Sequence, residues 1–143
     1  MRVEVTVNIK RSIQDVFAYI TNFENNPNWQ NGMVSCTFTT PSPLIVGSQY
    51  KQVAAFMGRT TESQFKVTKL IPNQRVEFET IESTFPIQIV REVTGLEDGT
   101  QVHAIISGQP TGFMGLFSPL MKPMMTSQIQ GDYHRLKELL EST

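Results

Sequence analysis

The chain has 143 residues, enough to bury one core of ordinary domain size, and nothing in it reads as a linker, so a single domain over 1–143 is expected. With 12 Lys and Arg against 13 Asp and Glu the net charge is -1, which removes the attraction that nucleic acid or an anionic membrane would need in a partner. One cysteine, Cys36, and two histidines allow no internal disulfide and too few ligands for a dedicated zinc site.

At the N-terminus Val3, Val5, Val7 and Ile9 alternate with Arg2, Glu4, Thr6 and Asn8, the period of a strand with one buried face and not the continuous apolar run of a secretory signal. No stretch reaches the roughly eighteen apolar residues of a membrane span, so a cytoplasmic protein with no integral membrane segment is expected. Ser12 is placed to cap a helix over Ile13 to Asn22, with Asp15 in its first turn and Val16, Phe17 and Ile20 as its apolar stripe. The Asn-rich segment from Asn22 to Gly32 contains Pro27 and has room for a short second helix before the chain turns back. Trp29 stands in it.

From Met33 to about Gln109 the pattern is strand, punctuated by Pro41 to Pro43, Gly47, Gly58, Pro72 with Asn73, and GLEDGT at Gly95 to Thr100. Six strands are expected: Met33 to Thr39, Ser48 to Met57, Arg59 to Leu70, Arg75 to Ile81, Phe85 to Thr94 and Thr100 to Gln109. Short links favour antiparallel neighbours, and a sheet with one wet face needs a helix over the other. Only the C-terminus supplies one. After QPTGFMG, Ser118 and Pro119 mark its start, and Pro123 predicts a kink or a loosened first turn. Phe117, Met121, Met124 and Gln128 share one face, which hands over to Met125, Ile129, Asp132, Leu136 and Leu139.

The segments VFAYITNFENNPNW (Val16 to Trp29), VGSQYKQ (Val46 to Gln52), VTKLIPNQRVEF (Val67 to Phe78), DGTQVHA (Asp98 to Ala104) and DYHRLKELLE (Asp132 to Glu141) follow one another in an order and spacing that resembles the polyketide cyclase/dehydrase branch of the START-like (SRPBCC) superfamily. The resemblance implies an α+β helix-grip fold: a curved antiparallel sheet of about seven strands wrapped around a long C-terminal helix, with short helices after the first strand. It also implies an apolar ligand held between sheet and helix. The expected function is therefore binding of an apolar or amphipathic small molecule, lipid-like or aromatic. Two rival readings stand beside it: a cyclase or dehydratase acting on such a ligand, and a non-catalytic homodimeric module whose hollow is filled by side chains.

Trp29, Tyr50, Phe65, Phe78, Ile89, Arg91, Phe117, Met121, Met124, Met125 and Gln128 are the candidate ligand-facing residues. Apolar alternation is what folding alone demands, so Val76, Phe78 and Thr80, or Ile87, Ile89 and Val93, also read as plain core. Met114, Met121, Met124 and Met125 carry more meaning, because thioether chains adapt to variable partners. Trp29 reads either as a rim residue closing one end of the hollow or as a core anchor. Arg91 shares a face with Ile87, Ile89 and Val93; buried, it needs an acidic partner or a ligand carboxylate, and at a strand end it reaches solvent. Asp132 is the acidic neighbour the helix offers.

No set of residues asks for a cofactor or metal, and no catalytic residue is assigned. An enzyme would have to use Arg91, Tyr50 or His103. Glu77 and Glu79 read as a solvated pair, His103 and His134 as surface groups, Cys36 as a small buried hydrophobe. Gly108, Gly112 and Gly115 match no phosphate loop.

Overall fold

The computed structural model describes residues 1–56, 58–82, 86–108 and 122–143. Strand β1 (Arg2–Ile9) buries Val3 and Ile9 and exposes the polar residues between, as its alternation requires. Helix α1 (Ile13–Thr21) follows, its start fixed by the Ser12 side chain, which accepts from the Asp15 amide at 3.2 Å. It buries Val16, Phe17, Ile20 and Thr21. A short 3-10 helix over Phe23–Asn28 accommodates Pro27. Then come β2 (Met33–Phe38), β3 (Gln49–Phe56), β4 (Arg59–Ile71), β5 (Arg75–Thr80), β6 (Ile87–Leu96), β7 (Gly99–Gly108) and α2 (Lys122–Glu141).

The strands form one antiparallel sheet in the order β1-β7-β6-β5-β4-β3-β2, so the first strand joins the last and β2 is the far edge. This is the helix-grip arrangement, a curled half-barrel closed by a C-terminal helix. The expected strands hold to within a residue or two. A bulge between Val67 and Lys69 lets Phe65, Val67 and Leu70 all turn inward, toward Val76 and Phe78 of β5. The β6–β7 hairpin turns at Glu97 and Asp98, and Gly99 then passes so close to β1 that an added Cβ would lie 2.2 Å from the Ile9 carbonyl oxygen.

The core is aromatic at its centre. Phe23 lies 4.6 Å from both Tyr50 and Phe78, and Tyr50 stacks on Phe65 at 5.1 Å. From α2 the buried residues are Asp132, Tyr133, Leu136 and Leu140. The expected stripe needs a correction here: Leu140 is buried and Leu139 half-buried, because steps of three and four from Tyr133 reach Leu136 and Leu140. That end of the helix is tied down, with Arg11 donating to the Leu140 carbonyl at 2.7 Å, the Lys10 amide to Glu141 at 2.9 Å and Lys137 to the Asn8 carbonyl at 2.7 Å. Lys122 to Gln130 contain no buried residue. Pro123 falls in the first described turn of α2; the expected start at Ser118 and Pro119, with Met114, Phe117 and Met121, lies outside the described residues, as does Phe85.

Candidate functional site

Arg91 stands midway along β6, in register with Val76 on one side and Ala104 on the other. Both neighbours are fully buried and short, which leaves space for the long side chain to cross the interior. Arg91 itself is 1% exposed, so the alternative in which it reaches solvent is overturned. Its Nη1 donates to the Ile20 carbonyl at 3.0 Å and its Nε to the Tyr133 hydroxyl at 2.9 Å. The rings of Trp29, Phe78 and Tyr133 lie 5.0, 5.1 and 5.9 Å from the guanidinium carbon. Helix α1 has no basic residue in its last turn; Arg91 supplies that cation from another element and satisfies a carbonyl that the helix end leaves free.

No carboxylate lies within ion-pair reach of Arg91 among the described residues, and its Nη2 has no hydrogen-bond partner among them. Asp132 is not the expected partner. Its Oδ1 accepts from the Asn31 amide at 2.9 Å and from Arg135 at 3.2 Å, while burial holds its carboxyl above the usual carboxylate range. Burial likewise pushes the Tyr50 hydroxyl well above its ordinary value, so it stays protonated and neutral.

A cavity of about 140 Å³ lies between the sheet and α2. Arg91, Tyr50, Phe65 and Phe78 form its floor, each almost wholly buried; Ile87, Ile89, Ile106, Ile129 and Met33 are half-buried around its mouth. Asn26, Gln30, Gln52, Asp132 and Tyr133 complete the lining. The hollow is thus mainly apolar, with the Arg91 guanidinium and the Tyr50 hydroxyl among its most deeply buried groups. Asn26 Oδ1, in the lining, and Trp29 Nε1, behind it, are buried with no partner among the described residues, each leaving about 1–3 kcal/mol of hydrogen-bonding capacity unused.

The structure therefore brings Tyr50, Phe65, Phe78, Ile89 and Arg91 together at one cavity. Trp29 is a core anchor rather than a rim: it is 1% exposed, packs edge-on against Tyr133 at 4.9 Å and backs Arg91 from outside the cavity wall. Met125 and Gln128 line an adjoining groove, and Met124 faces solvent at 45% exposure. Phe117 and Met121 lie outside the described residues. His103 is on the outer face, 2.9 Å from Glu4, and His134 is exposed beside Glu138. Glu77 is half-buried and paired with Arg75, so it is no free member of a solvated pair. Gln52 and Ile106 follow from alternation with Tyr50 and Ala104, and Tyr133 from its helical spacing to Ile129 and Leu136. Asn26, inside an Asn-rich turn, carries no comparable signal.

A larger cleft, about 480 Å³, lies outside the grip between α1 and the β2–β3 connection. Three of its polar side chains are already engaged: Ser48 accepts from the Ile45 amide, Thr40 from the Gln49 amide and Glu24 from the Phe38 amide.

Residues 1–141 match the family model described as polyketide cyclase / dehydrase and lipid transport. The chain belongs to that family. Among solved structures it is similar to a protein of Thermus thermophilus, at 16% identity over 99% of this chain and 98% of that one, with a TM-score of 0.82. A START superfamily protein from Mycobacterium smegmatis matches at 17% identity over 99% and 94%, TM-score 0.72. The di-domain ARO/CYC StfQ from the steffimycin biosynthetic pathway matches at 10% identity, TM-score 0.76, over 99% of this chain and 50% of that one. At these identities the likeness establishes the fold. No curated protein matches the chain. Among the described residues no helix is long and apolar enough to cross a membrane.

Proposed function

We propose that this protein binds an apolar or amphipathic small molecule between its sheet and α2. The apolar part meets the isoleucine mouth, and an acidic or carbonyl head meets Arg91. The observation that carries this reading is the guanidinium at the closed end of the cavity, buried with no carboxylate beside it and one nitrogen without an acceptor among the described residues. A buried cation is costly unless its donors are satisfied, and a ligand oxygen would meet the nitrogen that Ile20 and Tyr133 leave. Tyr50, Phe65, Phe78, Ile89 and Arg91 touch the ligand in this reading, and Trp29 holds Arg91 in place.

Native mass spectrometry of freshly purified protein, followed by analysis of whatever denaturation releases, tests it. An adduct with a carboxyl or carbonyl group supports the reading, and carboxylic acids bind more tightly than their methyl esters. Acids and esters bound equally would remove Arg91 from the site; no adduct with any acid would remove the binding function.

A second reading, a cyclase- or dehydratase-type enzyme, is favoured by Tyr50, Tyr133 and Asp132 lining the same cavity as Arg91. Hydroxyl donors and a cation stabilise an enolate oxygen, and a carboxyl of raised proton affinity moves a proton. Protein-dependent deuterium exchange at the acidic C–H of a β-keto acid checks it.

A further inference from the structure

The cavity that ends at Arg91 shares part of its wall with a second compartment. A groove of about 190 Å³ runs between the first turns of α2 and the β2–β3 side of the sheet. The two compartments share Gln30, Met33, Ile129 and Asp132, which form a neck between them. Beyond the neck the walls are Met125 and Gln128 from the helix and Ala54 and Ala55 from β3. Ala54 leaves room where the preceding inward position of the same strand carries Gln52, Ala55 borders the groove through its backbone beside Gly32, and the facing stretch of α2 from Lys122 to Gln130 buries none of its own residues.

Size limits what this path accepts. The inner compartment is near the volume that admits a single benzene-sized molecule, roughly 150 Å³. Neither compartment approaches the roughly 300 Å³ at which drug-sized pockets begin. A rigid fused-ring molecule therefore fits neither, while a flexible chain can divide itself between them. A molecule anchored at Arg91 and longer than one ring has this neck as an exit among the described residues.

We infer that the groove over Ala54 is a tail subsite continuous with the Arg91 cavity, and that the ligand is an elongated, flexible amphiphile: a straight-chain acid with its head at Arg91 and its chain passing Met33 and Ile129. This rests on the binding function proposed above. Ala54→Phe fills the groove at a position removed from the cavity floor, and Met125→Trp fills it from the helix side, so either variant carries the test if the other does not fold. Binding of hexanoate, decanoate and anthracene carboxylate is measured by calorimetry on the parent and both variants. The parent is expected to prefer decanoate over hexanoate by roughly tenfold or more, since each methylene removed from water adds to affinity, and to bind anthracene carboxylate more weakly than decanoate. In the folded variants the decanoate preference collapses toward unity. Equal binding of the two chain lengths by the parent, an undiminished preference in the variants, or tighter binding of the fused-ring acid would overturn the tail subsite alone. Absence of binding by all three acids would overturn the binding function and the subsite with it.

Discussion

Arg91 Nε donates to the Tyr133 hydroxyl at 2.9 Å, joining β6 to α2 across the interior, and neither side chain is more than 3% exposed. The same guanidinium holds the end of α1 through Ile20, so one side chain ties three elements together. Tyr133→Phe deprives a buried cation of a partner and is expected to cost about 1–3 kcal/mol. Arg91→Met frees both the tyrosine hydroxyl and the Ile20 carbonyl and also destabilises. Because each change removes part of the same contact, the double variant should lose less than the two losses added, by about 0.5–3 kcal/mol. Urea unfolding of the four proteins measures this, and strict additivity would show that the contact contributes nothing.

Burial of Asp132 predicts a pH dependence of the fold and its sign. Burial raises its carboxyl in the folded protein above the ordinary 3.8, so the folded state binds this proton more tightly than the unfolded chain does. Its contribution to stability is greatest at low pH, declines as pH climbs from the ordinary carboxylate value through the raised one, and stays unfavourable above that. Asp132→Asn keeps an oxygen for the Asn31 amide and removes the titration. The stability difference, variant minus parent, should therefore increase as pH rises through that window. Thermal melts across it decide the matter, and parallel pH curves would contradict the assignment.

Cys36 is 7% exposed, and burial pushes its thiol up to about 11. The thiolate is the reactive form, so iodoacetamide at neutral pH should modify native protein only as fast as the chain opens, with full reaction in denaturant. Rapid native alkylation would show an accessible thiol and a looser β2 edge.

Much of this architecture follows from local pattern. The alternation of Val3 to Ile9, the Ser12 cap and the turn residues from Pro41 to Thr100 report on neighbours a few residues away, and the strands and first helix appear where those signals place them. Inward direction was legible in part: Phe65 and Phe78 face the interior because side chains in a strand alternate, whereas the pattern left Arg91 between interior and solvent, and packing placed it inside. The burial of Leu140 rather than Leu139 follows the helical spacing from Tyr133 and Leu136, and anchors at Lys10, Arg11 and Asn8, some 130 positions away, hold that end of the helix in place.

What completes Arg91 was beyond the reach of pattern. Asp132, on the apolar side of the terminal helix, is the acidic neighbour that the sequence offers, whereas packing gave the guanidinium a helix carbonyl, a tyrosine and three rings, and gave Asp132 to Asn31 and Arg135. The bonds from Arg91 to Tyr133 and Ile20, and from Asn31 to Asp132, join residues between 42 and 101 positions apart. Periodicity and capping act over a turn or a strand, so the sequence by itself determined the elements, their order and the family. Which charged groups meet across the interior, and how much space is left between them, depends on how the curled sheet closes on α2, and only the tertiary structure decided that.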